Sequence, residues 1–341
     1  MYKVSLIRAK SYELKQLKSH IEYLLEPLGG MKAIINHGDK PNLKGTPSDI
    51  VPLWYNGIAS PRVLLKPNLL TGSRPTKECI TRPEIVYCVA QLVKEAGGKP
   101  FLGDSPAFGS ARGVAKANGY LPLCDELDLE IIEFKGQRYP TDNENFQHLR
   151  LSKEAMNADV VINLPKVKSH QQLTMTMGVK NLFGCVPGKM KAWWHMEAGK
   201  DVNRFGEMLV ETAKAISPNL TIIDGIIGHE GNGPSGGEPK ELGVLAASTD
   251  VFALDRAMID ILNVDPLLVP TLSAQFKQGC CSELAQIEFP YLRPADLQVS
   301  DWKLPDALMP IDFGLPRVLR STFKNFYIRF IQEPIKTYGK K

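Results

Sequence analysis

The sequence lacks the short motifs that identify several large classes of protein. Its six cysteines form no C-x-x-C pair, which argues against a zinc finger and against a ferredoxin-type cluster within this chain. No run approaches the roughly 18 consecutive apolar residues that a transmembrane helix needs. The first residues also lack the apolar core of a secretory signal, so we expect a cytoplasmic protein with reduced cysteines and no membrane span.

Nucleotide-binding and hydrolase motifs are also missing. There is no Walker A loop, no G-x-S-x-G elbow and no H-E-x-x-H zinc motif. Residues 231–236 satisfy G-x-G-x-x-G literally, but they do not join a strand directly to a helix, because Gly237-Glu238-Pro239 and a strand-like run follow. We therefore do not interpret them as a dinucleotide-binding loop.

The chain has little excess charge of either sign. Its 41 basic and 37 acidic side chains give a formal net charge of +4 over 341 residues. Such a small excess argues against a nucleic-acid-binding protein, so any positive field must come from local clusters. Hydrophobic residues make up 43% and charged residues 23%, which is typical of a globular protein that is long enough to bury a large core.

Apolar strand-like segments alternate with amphipathic helical segments from residue 61 onward. The segments RVLLKPN, PFLG, EIIEF, DVVINLP and NLTIIDG are short and apolar, as buried strands are. A helix opened by Thr81 and Pro83 and ended by Gly97-Gly98 is the clearest of the helical segments between them. The alternation predicts an α/β fold with a mostly parallel sheet, helices on both faces and a site at the carboxyl ends of the strands.

Three parts of the chain differ in pattern. We interpret residues 1–60 as a peripheral helix and loop, 61–270 as the α/β core domain, and 271–341 as an extension that packs on the core. The C-terminal residues mix aromatic and basic side chains, which suits either a docked helix or contact with a membrane surface. Adjacent Cys280 and Cys281 are interpreted as small turn residues, with redox activity as the alternative.

Four of the predicted strands end in polar clusters. These are Lys66-Pro67-Asn68, Gly103-Asp104-Ser105, the run 165–170, and the pair of runs 224–225 and 229–237. Because the carboxyl ends of parallel strands meet at one edge of a sheet, we expect the clusters to share one site. Lysine ammonium groups there suit a carboxylate or a phosphate. The predicted substrate-binding residues are Lys66, Asn68, Asp104, Ser105, Lys166, Lys168, Asn181, Gly231 and Gly233.

The segment from Thr174 to His195 is unusual because it places cations among glycines and aromatic residues. Trp193 and Trp194 suit stacking on a planar ligand, and packing in the core is an equal alternative. A histidine or a carboxylate in such a site can transfer protons, and a lysine with a shifted pKa can do the same. The predicted catalytic residues are His170, Lys180, His195 and Glu230.

Three of the six histidines fall in these segments, namely His170, His195 and His229. Imidazole is a common metal ligand, so we predict that these three could hold a divalent metal ion. The alternative is that each is a hydrogen-bonded structural residue.

The same segments resemble the conserved family called domain of unknown function 362. The resemblance is carried by VLLKPNLL, GDSP, ADVVINLPKVKSH, TMGVKNLFGCVPG and DGIIGHEGNGPSGG, in that order, over about residues 60–265. Many members of the family append a ferredoxin-like segment with two four-cysteine clusters, whose C-x-x-C pairs this chain lacks. The resemblance therefore implies an iron–sulfur cluster only on a separate ferredoxin-like partner.

The arrangement of lysine, glycine, proline and histidine around residues 180–195 is also distantly similar to the lactate racemase group. That group uses a nickel-pincer nucleotide together with lysine and histidine residues. This similarity implies isomerase or racemase chemistry.

Two hypotheses for the function follow. The first is an enzyme that acts on an anionic small molecule by lysine and histidine acid–base or metal-assisted chemistry, as an oxidoreductase or an isomerase. The second is a metal- or iron–sulfur-associated redox accessory or cofactor carrier. The sequence leaves the substrate, the metal and the oligomeric state open.

Overall fold

The computed structural model describes residues 1–36, 60–72, 78–188, 190–197, 201–281, 283–311 and 327. Two interpretations made from the sequence fall on other residues. The surface excursion over 38–60 lies outside the described residues except for its last position, and so does the aromatic and basic C-terminal segment except for Tyr327.

Strands and helices alternate along the described residues as the sequence predicts. The strands are β1 (Tyr2–Arg8), β2 (Arg62–Pro67), β3 (Lys99–Gly103), β4 (Ile131–Ile132), β5 (Gly136–Pro140), β6 (His148–Ser152), β7 (Val160–Leu164), β8 (Lys166–His170), β9 (Thr174–Thr176), β10 (Leu220–Glu230), β11 (Glu238–Ser248) and β12 (Ile287–Glu288). The α-helices are α1 (Leu14–Leu25), α2 (Gly30–Asn36), α3 (Pro83–Glu95), α4 (Ala111–Ala117), α5 (Leu121–Glu126), α6 (Lys153–Met156), α7 (Gly178–Asn181), α8 (Met190–Glu197), α9 (Val202–Ile216), α10 (Val251–Ile261) and α11 (Pro270–Lys277).

Ten of these strands form one sheet with the order β12-β1-β11-β10-β7-β2-β3-β4, and β8 and β9 join it beside β10. The central pairs β10–β7, β7–β2, β2–β3 and β3–β4 are parallel, and β8 also runs parallel to β10. Among the described residues of this sheet, antiparallel pairing is confined to β11 with its two neighbours and to the β8–β9 hairpin. β5 and β6 form a separate antiparallel pair. The predicted α/β fold with a mostly parallel sheet is therefore confirmed.

Helices cover both faces of the sheet because successive residues of a buried strand point in opposite directions. On β2, Val63 and Leu65 pack in the apolar cluster that includes α1 and α3. Leu64, between them, packs on the other face with α9 residues such as Leu209. A third cluster joins β1 and β11 to α10 and α11. This two-sided burial explains why the strand segments are apolar throughout.

The helix boundaries follow the local signals in the sequence. Pro83 occupies the first turn of α3, and Gly97, with φ of 93°, follows its end. The Asp250 side chain accepts a hydrogen bond from Ala253 N and so caps the start of α10. Ser110 caps α4 in the same way through Gly113 N.

The N-terminal residues differ from the sequence interpretation. β1 lies inside the main sheet, antiparallel to β11 and parallel to β12, so residues 1–60 are not a peripheral helix and loop throughout. Val4 and Leu6 are completely buried there. A run of seven residues flanked by lysine and arginine was too short and too polar to identify a sheet strand. The helix expected around Ser11–Leu28 is α1, followed by a 3-10 turn at Glu26–Leu28.

The fifth predicted strand is longer than the sequence predicts, because β10 continues beyond Gly225 to Glu230 with an irregularity in its pairing at Gly225–Ile227.

In the C-terminal part of the chain, β12 pairs with β1, and Val299 N donates to Ile261 O on α10. In the part of the chain described here, no helix is long and apolar enough to cross a membrane.

Candidate functional site

The predicted lysines come together at one edge of the sheet. This edge is formed by the carboxyl ends of β2, β3 and β7 and by the first half of β8. Lys66 lies opposite Asn163 in the β2–β7 pairing, and Asp224 on β10 lies opposite Lys166 on β8. α7 follows the β8–β9 hairpin and carries Lys180. Since parallel strands end at the same edge of the sheet, chain segments that are far apart in sequence meet there.

Lys66 and Asp104 form a buried ion pair. The Lys66 Nζ lies 2.9 Å from Asp104 Oδ1, and neither side chain is more than 4% exposed. Lys66 Nζ also donates to Pro67 O at 2.7 Å, and the Asp104 carboxylate accepts from the backbone N–H groups of Leu69 and Ser105. Both charges are thus satisfied inside the protein, as a buried ion pair requires.

Lys166 belongs to a second buried network. Its Nζ lies 3.0 Å from Asp224 Oδ2 and 3.3 Å from Glu78 Oε2, and it donates to the Tyr12 hydroxyl at 3.1 Å. Tyr12 in turn donates to Asp224 Oδ1 at 2.6 Å, and Arg82 pairs with Glu78. Burial and the Asp224 charge hold the pKa of Tyr12 well above its usual value, so its hydroxyl stays protonated.

Tyr12 and Glu78 were not predicted as site residues. Tyr12 lies in the N-terminal segment just before α1, and Glu78 lies just before α3. Neither sits in a motif, and only the packing of α1 and α3 against the same side of the sheet brings them to Lys166. No signal in the sequence could have found them.

Lys168 is buried without a negative partner. Its Nζ donates to Asn68 Oδ1 at 2.7 Å and to Cys79 O at 2.8 Å, both neutral oxygens. Among the described residues it has no carboxylate within ion-pair distance. Burial lowers the pKa of Lys168 to about 7 because the charged form loses its hydration. The nearby charges of Lys166 and Lys66 act in the same direction.

Lys180 and Lys191 extend this group of cations. The Lys180 Nζ lies 5.2 Å from the centre of the Phe183 ring, and within the described ranges it has no hydrogen-bond or carboxylate partner. Burial lowers the pKa of Lys180 to about 7, and Lys168 and Lys191 lower it further. Lys191 Nζ donates to Ser105 O and lies 5.9 Å from the same ring, and burial lowers its pKa to about 8.

The site therefore contains more positive than negative charge. Two of its five lysines are paired with carboxylates, Lys66 with Asp104 and Lys166 with both Asp224 and Glu78. The other three have no carboxylate partner within the part of the chain that the structure describes. We call Lys168, Lys180 and Lys191 the uncompensated lysines. A group of this kind attracts anions.

Asn181 lies in an internal amide network. Its Nδ2 donates to Asn163 Oδ1 at 2.8 Å, and its Oδ1 accepts from Asn68 Nδ2 at 2.9 Å. Asn163 Nδ2 donates onward to Gly178 O, at the start of α7. Asn181 is 2% exposed, so the protein itself uses its amide group, whereas Asn68 is only partly buried. The network fixes α7 against the ends of β2 and β7.

Asp255 holds the other side of α7. Its carboxylate accepts from the backbone N–H groups of Gly178 at 2.7 Å and Val179 at 2.9 Å. Burial raises the pKa of Asp255 to about 7 despite these two bonds. The structure shows that it points inward and caps the helix that carries Lys180.

His170 is next to the uncompensated lysines. Its Nδ1 accepts from Gln172 N at 3.1 Å, so the neutral ring carries its proton on Nε2. Burial and the charges of Lys180 and Lys168 hold the pKa of His170 well below its usual value. His195 also acts on His170 electrostatically, and its ring stacks on Phe205 with centroids 4.5 Å apart.

The described residues contain no group of three or more histidine, cysteine or acidic side chains that could hold a metal ion. His229, the third predicted metal ligand, accepts a hydrogen bond from Gly237 N at its Nε2. The structure therefore does not assemble His170, His195 and His229 as one metal centre.

Of the two tryptophans, Trp194 packs edge-on against Phe146, and Trp193 is 43% exposed.

Glu230 faces the C-terminal segment. Its Oε2 accepts from Lys303 N at 3.0 Å, and Gly231 N donates to Lys303 O at 2.8 Å. Gly233 lies against the β8–β9 hairpin, because Gln171 N donates to its carbonyl oxygen. Glu230, Gly231 and Gly233 thus contact the segment around Lys303 and the β8–β9 hairpin. Among the described residues, Glu230 forms no ion pair with the lysines at the strand ends.

Gly184 allows the Lys66–Asp104 pair to form. A Cβ atom at this position would lie 2.0 Å from Asp104 Oδ1 and 2.4 Å from Lys66 Nζ. We expect Gly184→Ala to lower the free energy of unfolding by about 1–3 kcal/mol, because the methyl group must displace a buried ion pair. Urea denaturation followed by circular dichroism measures the change.

Gly188→Ala is the matched control for this prediction. A Cβ there would meet no atom within 4 Å, and only the positive φ of 57° opposes it. Its expected cost is that of a left-handed residue, about 1 kcal/mol. An equal or smaller loss in Gly184→Ala would contradict the role assigned to Gly184.

The sequence was compared with protein families and with known proteins. Residues 63–260 match the model of the family described as Domain of unknown function (DUF362). Over 338 residues the chain is 64% identical to the Thylakoid-associated protein sll1697 of Synechocystis sp. (strain ATCC 27184 / PCC 6803 / Kazusa), covering 99% of this chain and 98% of that protein.

A solved structure was also found, the lactate racemase apoprotein from Thermoanaerobacterium thermosaccharolyticum. It is 12% identical, has a TM-score of 0.40, and the match covers 74% of this chain and 55% of that one. The family match spans more than half of the sequence and includes the strand ends that carry all of the lysines described above. The chain therefore belongs to the DUF362 family.

Proposed function

We propose that this protein binds a small molecule with a carboxylate or phosphate group and acts on it as an enzyme by lysine and histidine acid–base chemistry. The observation that supports the proposal is the presence of three uncompensated lysines near the ends of the parallel strands, namely Lys168 on β8, Lys180 on α7 and Lys191 on α8. An isolated ammonium group out of water is costly unless an opposite charge accompanies it. A bound anion would supply that charge.

The geometry suggests a division of roles. Lys66 and Lys166 are occupied by internal carboxylates and keep the strand ends in place. Lys168 and Lys191 are held by neutral oxygens and would bind the anionic group. Lys180, with a pKa near neutrality, would exchange a proton with the ligand. His170 is neutral and has an Nε2–H group that can donate to a ligand oxygen.

Thermal unfolding in the presence of different anions tests the proposal. Phosphate, lactate and pyruvate are added at equal ionic strength, with chloride as the reference. A ligand that binds only the folded protein raises the melting temperature with concentration. We expect at least one carboxylate or phosphate compound to do so in the wild type and not in Lys168→Met. The absence of any shift beyond chloride would refute the proposal.

Anion affinity should depend on pH. In the free protein Lys168 has a pKa of about 7 and Lys191 a pKa of about 8, so the two lysines that would bind the anion lose their charge as the pH rises through these values. Above these pH values, binding requires proton uptake, and affinity should fall by up to about tenfold per pH unit for each lysine involved. Below these pH values the lysines are already charged, and affinity should be highest.

Isothermal titration at several pH values measures this dependence. The ligand should be a carboxylate that stays ionised from about pH 6 to about pH 9, such as pyruvate. Proton uptake is obtained independently by repeating the titration in buffers of different ionisation enthalpy. A constant affinity over this range would show that neither lysine contacts the anion.

Metal-assisted chemistry, oxidoreductase or isomerase activity and a ferredoxin-like partner stay predictions made from the sequence. Purification without oxygen, followed by metal analysis, tests the first of them. The Synechocystis relative is named as thylakoid-associated, and we propose the same association for this chain. The sequence of this chain predicted a cytoplasmic protein instead. Membrane fractionation distinguishes the two locations.

A further inference from the structure

The amine of Lys180 differs from the amines of the other four lysines in the site. Lys66 and Lys166 are in ion pairs, and Lys168 donates two hydrogen bonds to neutral oxygens. Lys191 donates to Ser105 O. Within the described ranges Lys180 has no polar partner, and its ammonium group lies over the face of the Phe183 ring.

The position of Lys180 on the chain is nevertheless fixed. Its helix, α7, is capped by Asp255 through two backbone N–H groups. The next residue, Asn181, is bonded to both Asn68 and Asn163. A backbone held on both sides with a side chain left unbonded is the arrangement expected of a reactive lysine, because the amine is positioned and still available.

We propose that Lys180 forms a Schiff base with the carbonyl carbon of a 2-oxo acid whose carboxylate is held by Lys168 and Lys191. This inference rests on the proposed function, since the same uncompensated lysines bind the anion. The carboxylate must be adjacent to the carbonyl group, because Lys191, which would hold it, lies over the same Phe183 ring as Lys180, with the two Nζ atoms 5.9 and 5.2 Å from the ring centre. This requirement favours 2-oxo acids over longer acids with a remote carbonyl.

The reaction needs no further reagent. The Lys180 nitrogen attacks the carbonyl carbon, a C–N bond forms, and the carbonyl oxygen takes up a proton. The nitrogen then loses a proton, the hydroxyl group leaves as water after protonation, and the nitrogen lone pair completes the C=N bond. The iminium nitrogen then releases its remaining proton, so that one amine and one carbonyl give one imine and one water, and nothing is oxidised or reduced.

The surroundings of Lys180 favour each requirement of this step. The attacking amine must be neutral, and burial among other lysines lowers the pKa of Lys180 to about 7. The carbonyl must be polarised, and the Nε2–H group of His170 is a donor that can do this. His170 lies close enough to Lys180 for the Lys180 charge to lower its pKa. A neutral imidazole can polarise a carbonyl in this way.

Reductive trapping tests the inference. The full-length protein is incubated near neutral pH with pyruvate and sodium cyanoborohydride in a buffer without primary amines, and the modified residue is identified by peptide mass spectrometry. We expect one adduct, on Lys180, formed about tenfold or more faster than on the exposed Lys15 of α1, because Lys180 is neutral at a lower pH. Acetone, which has the carbonyl but no carboxylate, should not label Lys180 preferentially.

Two variants separate this inference from the proposed function. Lys180→Arg keeps the positive charge but cannot form an imine, so pyruvate should still raise its melting temperature while the adduct disappears. Lys15→Met should label as the wild type does. If pyruvate stabilises the wild type but forms no adduct on Lys180, the Schiff-base proposal is wrong and the anion site is retained. Labelling spread evenly over the exposed lysines would also contradict the Schiff base. If pyruvate neither binds nor labels the protein, both the Schiff base and the proposed function are wrong.

Discussion

The Lys180→Met variant is expected to bind the anion about tenfold more weakly than the wild type, because the site loses one of the positive charges that attract the anion but keeps Lys168 and Lys191. Its free energy of unfolding should nevertheless rise by about 1–3 kcal/mol, because a buried charge without a partner is replaced by an apolar side chain of similar length. Isothermal titration measures the first change and urea denaturation the second. Opposite effects on binding and stability are characteristic of a residue kept for function.

Lys15→Met provides the control, because Lys15 is exposed on α1 and has no contact with the site. It should leave both quantities nearly unchanged. A loss of stability in Lys180→Met would mean that the ammonium has a partner in the folded protein and that the charge excess is smaller than the described contacts indicate.

The same substitution at Lys66 should have the opposite effect on stability. Lys66→Met leaves the buried Asp104 carboxylate without its ion-pair partner, and we expect the free energy of unfolding to fall by about 3–5 kcal/mol. The physical difference is only the partner: Lys66 lies 2.9 Å from a carboxylate oxygen, whereas Lys180 has no carboxylate among the described residues. Urea denaturation of the two variants side by side measures the contrast.

The double variant Lys66→Met/Asp104→Asn tests the reason for this loss. Asparagine removes the charge and keeps an oxygen that can accept from the backbone N–H groups of Leu69 and Ser105. The double variant should recover a large part of the stability that Lys66→Met loses, since no isolated charge remains. A double variant as unstable as the sum of the two single changes would show that the ion pair is not the cause.

Much of the fold could be predicted from the sequence because it depends on local patterns. Apolar runs such as VVINL and amphipathic helices with Pro83 or Asp250 at their starts identify their own structure. Parallel pairing of the central strands is then expected, because a crossover helix allows consecutive strands to run in the same direction. β1 was missed because Lys3, Ser5 and Arg8 interrupt its apolar pattern, and the strand β11 that pairs with it lies about 240 residues away.

The candidate site was predicted only in part, for the same reason. Lysines at strand ends were visible in the sequence, but Glu230 also follows an apolar strand and is bound by the segment around Lys303. The extension of β10 to Glu230 decides this, because it carries that residue past the end of the parallel strands. Asp255 was ambiguous because the direction of a side chain on a helix depends on what packs against it.

The sequence by itself determined that this chain forms an α/β sheet with cationic groups at the ends of its parallel strands. Only the tertiary structure decided which of those lysines meet a carboxylate. Lys166 acquires Asp224 and Glu78 from distant segments, while Lys168 finds only neutral oxygens. The physical reason is that hydrogen bonds and ion pairs act over a few ångströms, and sequence separation says nothing about distances on that scale.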